Sequence, residues 1–150
     1  MACILFLAGV NLSWHGKPIK QFIKEGADCI VVAPRGFATG KVEGVKNVYL
    51  PPHLGLKLGM FFALPALETI CRKQKVDHIV PLDDIAAWLL RGAVMNSRVS
   101  DRLRSVLINS LGNPALYLQA VSRPNFIVLA RRAGVNTPPT VGEQTPSLHA

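Results

Sequence analysis

The sequence is short of acid. Its 150 residues hold nine Asp and Glu against 17 Lys and Arg, a formal net charge of +8. Such an excess marks a nucleic-acid binder when the cations cluster with aromatics. Here they are spread along the chain. A basic solvated surface, or one facing anionic substrates or an acidic neighbouring domain, fits better. Cysteine is scarce and odd in number. Cys3, Cys29 and Cys71 form no CxxC pair, so nothing suggests a zinc site or a redox dithiol, and a reducing cytoplasm is expected. Long apolar runs are also missing. Residues 2–10 are apolar but lack a basic leader and are too short to span a bilayer. Residues 54–70 are interrupted by Lys57, Pro65 and Glu68. No signal peptide, membrane helix or membrane partner is expected.

Two phosphate-binding signatures are absent as well. There is no G-x-G-x-x-G, which weakens any claim for a dinucleotide. Gly36-Phe37-Ala38-Thr39-Gly40-Lys41 imitates a phosphate loop, but it is one residue short and Val42 stands where the magnesium-binding hydroxyl belongs. Both features are mechanical requirements, so that reading fails.

What is present is a folded domain: 49% hydrophobic and 17% charged residues rule out a disordered chain. Residues 2–9 form a continuous apolar run, the pattern of a parallel strand buried on both faces. Lys17 to Glu25 carries Ile19, Phe22 and Ile23 on one side and Lys20 and Lys24 on the other, an amphipathic helix closed by Gly26. Asp28 to Ala33 is a second buried strand ended by Pro34. Strand, helix and strand within about 33 residues make a βαβ unit. Arg35 to Lys46 reads as a loop and Val45 to Leu50 as a third strand, stopped by Pro51-Pro52.

Leu56 to Lys75 reads as a long helix with Leu58, Phe61, Phe62, Leu64, Leu67, Ile70 and Cys71 towards the core. Pro65 is expected to kink or split it. Val76 to Leu82 is a fourth strand. A helix from Ile85 to Arg91, a loop from Gly92 to Ser97 and a helix from Arg102 to Leu111 follow, with Arg98, Arg102 and Arg104 as a basic patch. Asn113-Pro114 opens a short helix, Ala115 to Ala120. The fold expected is α/β: a small, parallel, Rossmann-like sheet of about four strands with helices on both faces.

Ligands of such sheets bind beyond the carboxyl ends of the strands. Two stretches fall there. Gly9, Asn11 and Ser13 follow the first strand and either offer backbone donors to a substrate or form a plain turn. Asp83 and Asp84 follow the fourth strand. One caps the next helix; the other is free for a substrate amine, a ribose or a magnesium ion.

Near the end, Ser122 reads as an N-cap, Pro124 as a first-turn proline, and Phe126, Ile127, Ala130 and Ala133 recur at helical spacing. Arg131 and Arg132 suit the negative helix end, Gly134 stops the helix, and Pro138-Pro139 prevents a restart. A short helix therefore leads into an extended linker, dividing the chain into 1–121 and 122–150.

The stretch from Ser122 to Pro139, with its Ala133-Gly134-Val135-Asn136-Thr137-Pro138, resembles the junction between the N-terminal domain and the ATP-binding lobes of ATP-grasp ligases. A strand ending in an acidic residue before a short helix, as at Pro81 to Asp84, is similar to that domain too. The resemblance implies a pre-ATP-grasp fold, and a parent enzyme that phosphorylates a carboxylate with ATP and Mg2+ before an amine displaces the phosphate. It also implies that Arg123 touches ATP phosphates. The family's adenine-side lysine, glycine-rich lid and metal-binding Glu/Asn pair would lie in an ATP-grasp domain beyond this chain. The 150 residues alone are then expected to hold no catalytic residue, no metal and no tightly bound ATP. Two other classes stay open: a stand-alone Rossmann-like module for a small ligand, and, less in keeping with the charge distribution, a nucleic-acid-binding domain. A homo-oligomer also stays open.

Overall fold

The computed structural model describes residues 1–50, 56–117 and 123–137. Four strands form one sheet: β1 (Cys3–Leu7), β2 (Asp28–Pro34), β3 (Val45–Leu50) and β4 (His78–Pro81). Their order is β3-β2-β1-β4, and every pairing is parallel. Five helices lie among the described residues: α1 (Gly16–Lys24), α2 (Leu56–Lys73), α3 (Asp84–Val94), α4 (Asp101–Leu111) and α5 (Arg123–Arg132). This is the small Rossmann-like α/β sheet that the strand runs imply.

The central strands are apolar throughout because both faces are covered. On one face Ile4, Phe6, Ala8, Cys29, Val31 and Ala33 pack with Ile19 of α1 and with Val42. Phe22 is partly exposed, yet its ring lies 5.6 Å from that of Phe6. The opposite face, Leu5, Leu7, Ile30, Val32 and Ile79, is equally buried. There α2 packs on β3, and α3 and α4 on β4; Leu67, Leu90, Leu103 and Leu107 are fully enclosed.

Several details depart from expectation. The helix containing Pro65 is continuous from Leu56 to Lys73. A proline removes one amide donor, but packing on β3 and on the neighbouring helices holds the rest in register, and the Thr69 hydroxyl donates to the Pro65 carbonyl at 2.8 Å. Helix α3 runs through Gly92 to Val94, since Ala93 and Val94 are buried and reward the extra turn. Strand β4 begins at His78 rather than Val76. The expected loop at residues 35–46 contains a 3-10 turn, Ala38–Lys41. Burial pushes the Cys71 thiol up to about 11, with the Glu68 charge adding to it, so it stays a neutral core group at neutral pH.

The basic patch around α4 resolves into separate roles. Arg104 donates to the carbonyls of Val94 (3.0 Å), Asn96 (2.9 Å) and Val99 (3.4 Å), closing the α3–α4 connection, while Arg98 and Arg102 are exposed. Ser100 caps α4 by accepting from the Leu103 amide, and Glu68 of α2 accepts from both the amide and the hydroxyl of Ser100.

Contacts divide the chain into two units, Met1–Pro114 and Ala115–Ala150. In the second unit, the amides of Gly134 and Val135 donate back to Arg131 and Ala130 at 3.0 and 2.9 Å. Gly134 has φ +77°. That left-handed stop is the one expected for an α-helix. The Phe126 side chain is 57% exposed, so the apolar stripe of α5 is only half covered. The Ser122 cap, the proline pairs Pro51-Pro52 and Pro138-Pro139, the second half of the expected Ala115–Ala120 helix and the tail fall outside the described residues. So do the side chains of Leu58, Phe61 and Arg123.

Candidate functional site

The strand order creates one distinctive place. Successive strands step outward from β1 to β2 to β3, and the chain then returns to lay β4 on the other side of β1. The change of direction falls between β1 and β4, the position at whose carboxyl end doubly wound sheets bind their ligands. Gly9, Asn11, Ser13, Asp83 and Asp84 all lie on the connections leaving those two strands, so the fold brings the five together at one end of the sheet.

Their geometry separates them into roles. One oxygen of Asp83 (Oδ2) accepts from the amides of Gly9 (2.7 Å) and Val10 (3.0 Å). The other, Oδ1, accepts from the Ala86 amide at 2.8 Å and caps α3. A single carboxylate thus ties the end of β1 to the start of α3. Gly9 fits here only because it has no side chain: a Cβ would lie 2.7 Å from Ile85 Cγ2 and 2.9 Å from Asp83 Oδ1. The Gly9 amide is consequently engaged by the protein's own carboxylate. Asp84, by contrast, is exposed in the first turn of α3. It is the acid of the pair that solvent reaches.

Asp77 mirrors Asp83 at the other end of β4: its Oδ2 accepts from the Cys3 amide at 2.8 Å. The short β1–β4 pairing is therefore bracketed by two aspartates, one at each end.

On the other side of β1, Asn11 Oδ1 accepts from the Ala38 amide at 2.8 Å, which joins the loop after β1 to the 3-10 turn after β2. Ser13 opens a second 3-10 turn, Ser13–His15, and is exposed. Nearby, the Arg35 guanidinium sits 5.4 Å above the half-exposed Tyr49 ring. Two residues with no motif to announce them also lie here. His15 and Thr39 are 0% and 1% exposed, and neither ring nitrogen of His15 nor the Thr39 hydroxyl has a hydrogen-bond partner. A lone histidine before an amphipathic helix and a threonine in a glycine-rich loop carry no sequence signal; only tertiary burial distinguishes them.

No group of three His, Cys, Asp or Glu among the described residues is arranged to hold a metal ion. No helix among them is long and apolar enough to cross a membrane.

No family model, curated protein or solved structure matches this chain.

The carboxyl end of the sheet presents an exposed carboxylate (Asp84) after β4 and, after β1, an exposed hydroxyl (Ser13) and an amide side chain anchored through its oxygen (Asn11). These groups can meet a cation or a hydrogen-bonding group.

Proposed function

We propose that the chain is the substrate-side domain of an ATP-dependent carboxylate–amine ligase of the ATP-grasp type. The observation that supports this reading is the change of strand direction between β1 and β4, with Asp84 exposed just beyond the carboxyl end of β4. A carboxylate there suits the ammonium of an incoming amine. In the reaction, a carboxylate oxygen attacks the γ-phosphorus of ATP and releases ADP. The amine then attacks the acyl carbon and expels phosphate, giving an amide. The chain's share is binding and orientation. Asp84 pairs with the amine and Ser13 donates to the substrate; the family resemblance assigns Arg123 to ATP phosphates, a role a guanidinium suits because it can bond two oxygens at once. The charge clamp and metal that phosphoryl transfer requires would be supplied by an ATP-grasp domain.

Titration calorimetry tests this directly. The chain is expected to take up amino-acid or amine ligands in the millimolar range, to lose roughly tenfold in affinity in Asp84→Asn, and to give no saturable heat with ATP and Mg2+. Micromolar ATP binding would instead favour the self-contained small-ligand module, for which the same change of strand direction within Met1–Pro114 is the supporting observation. Salt-dependent retention on unrelated DNA duplexes would point to the nucleic-acid reading.

A further inference from the structure

Buried polar groups in folded proteins are hydrogen-bonded with few exceptions, because an unpaired one forfeits its hydration without compensation. This chain has two such exceptions in neighbouring turns. His15 ends the turn Ser13–His15 and Thr39 lies within the turn Ala38–Lys41. The two turns pack together. Asn11 is bonded to Ala38 at one side, and a Cβ on Gly16 would lie 3.1 Å from Val42 Cγ2 at the other. These packed turns carry three unpaired polar atoms: Nδ1 and Nε2 of His15 and Oγ1 of Thr39. Both turns follow strands at the carboxyl end of the sheet, where ligands of this architecture bind. Isolated violations of local rules, in an otherwise consistent fold, concentrate where a protein does its work.

We infer that His15 and Thr39 form a second ligand subsite, on the β1–β2 side of the sheet, that reads a neutral hydroxyl or carboxamide group of a small molecule. A neutral imidazole presents one donor and one acceptor, and a threonine hydroxyl presents both. Their complement is a group that itself donates and accepts. A charged group entering this enclosed place would forfeit its hydration, which neither a hydroxyl nor a neutral imidazole restores, so carboxylates, phosphates and ammonium ions are disfavoured there. The ligand enters by displacing the single 3-10 turn Ala38–Lys41, a short element with poor hydrogen-bond geometry. Trp14 is the natural reporter: its ring stands edge-on to His15, centroids 4.5 Å apart, and is 51% exposed.

This inference does not depend on the ligase reading, since it uses neither Asp84 nor any ATP-binding element. The test uses the full chain carrying Trp88→Phe, so that Trp14 is the one remaining indole. Its fluorescence is titrated with D-ribose, acetamide, propionamide, acetate and inorganic phosphate. A saturable change with ribose, or with the two amides, and none with acetate or phosphate is expected; which arm responds tells hydroxyl from carboxamide. Thr39→Val should weaken that response at least tenfold while melting no lower than its parent, because it removes an unpaired buried hydroxyl. Thr39→Ser should keep the response, and it serves if the valine variant does not fold. Absence of a saturable change with every neutral probe would overturn the inference and leave a trapped water as the occupant. So would an undiminished response in Thr39→Val, or a response to acetate equal to that for ribose and the amides.

Discussion

At the scale of single residues, Asp83 shows how one side chain can be legible and misread at once. An acidic pair after a strand is visible in the sequence, and so is the need for one of them to cap α3. Which one caps is decided by backbone direction, and the bonds to Gly9 and Val10 span a separation of 74 and 73 residues. No local pattern reports an acceptor that distant. The same limit hid His15 and Thr39, whose interest lies in what they fail to touch. Asp83→Ala removes a cap and two further charge-assisted bonds, leaving three amides without their acceptor. It should lower unfolding stability by about 3 kcal/mol, read as a shift in the urea midpoint with unchanged slope. Asp84→Ala, exposed and not bonded as the cap, should leave the midpoint within about 0.5 kcal/mol of the parent. Equal losses in the two variants would contradict the assignment of the clamp.

At the scale of elements, the strands were the legible part. Residues 3–7 and 29–34 read as unbroken apolar runs because helices cover both faces, so nothing in them needed to alternate. The helices were harder, since their ends depend on what they pack against. Gly92 reads as a stop, yet α3 gains Ala93 and Val94 in the core by continuing. Pro65 reads as a break, yet tertiary contacts carry α2 past it. Strand edges are another matter that sequence leaves open. β4 pairs with β1 on one side only. On its other side the Ile79 amide donates to the Ser110 hydroxyl of α4 at 2.8 Å, and that hydroxyl donates onward to the Val106 carbonyl at 2.7 Å. A helix thereby closes a sheet edge that would otherwise present a free donor. Because Ile79 is fully buried, Ser110→Ala should cost about 1–2 kcal/mol, and amide hydrogen exchange at Ile79 should quicken more than at Leu5 on the central strand.

At the scale of the whole molecule, the order of elements follows from the sequence because each short connection and buried run admits few arrangements. The position of β4 beside β1 does not follow, since a fourth strand could equally extend the sheet past β3. The two aspartates at the ends of β4 are what favour β1: Asp77 binds the Cys3 amide and Asp83 those of Gly9 and Val10. The described sheet and every buried core residue but Tyr117 lie within Met1–Pro114. That unit made alone should therefore melt cooperatively, within roughly 5 °C of the full chain, a shift corresponding to about 1 kcal/mol or less. A broad, non-cooperative melt by circular dichroism would show that the remainder of the chain is needed to complete the core.

The central position of β1 also has a consequence during synthesis. Its β2-facing edge finds a partner early, but its other edge waits until β4 has been made. At roughly 5–20 residues per second, that leaves a half-satisfied strand of five apolar-rich residues, Cys3–Leu7, uncovered for several seconds on the ribosome. Throughout that interval the nascent chain offers a parallel docking edge to any passing extended peptide. Chaperone dependence should therefore be greatest before Asp83 emerges and fall once the latch closes.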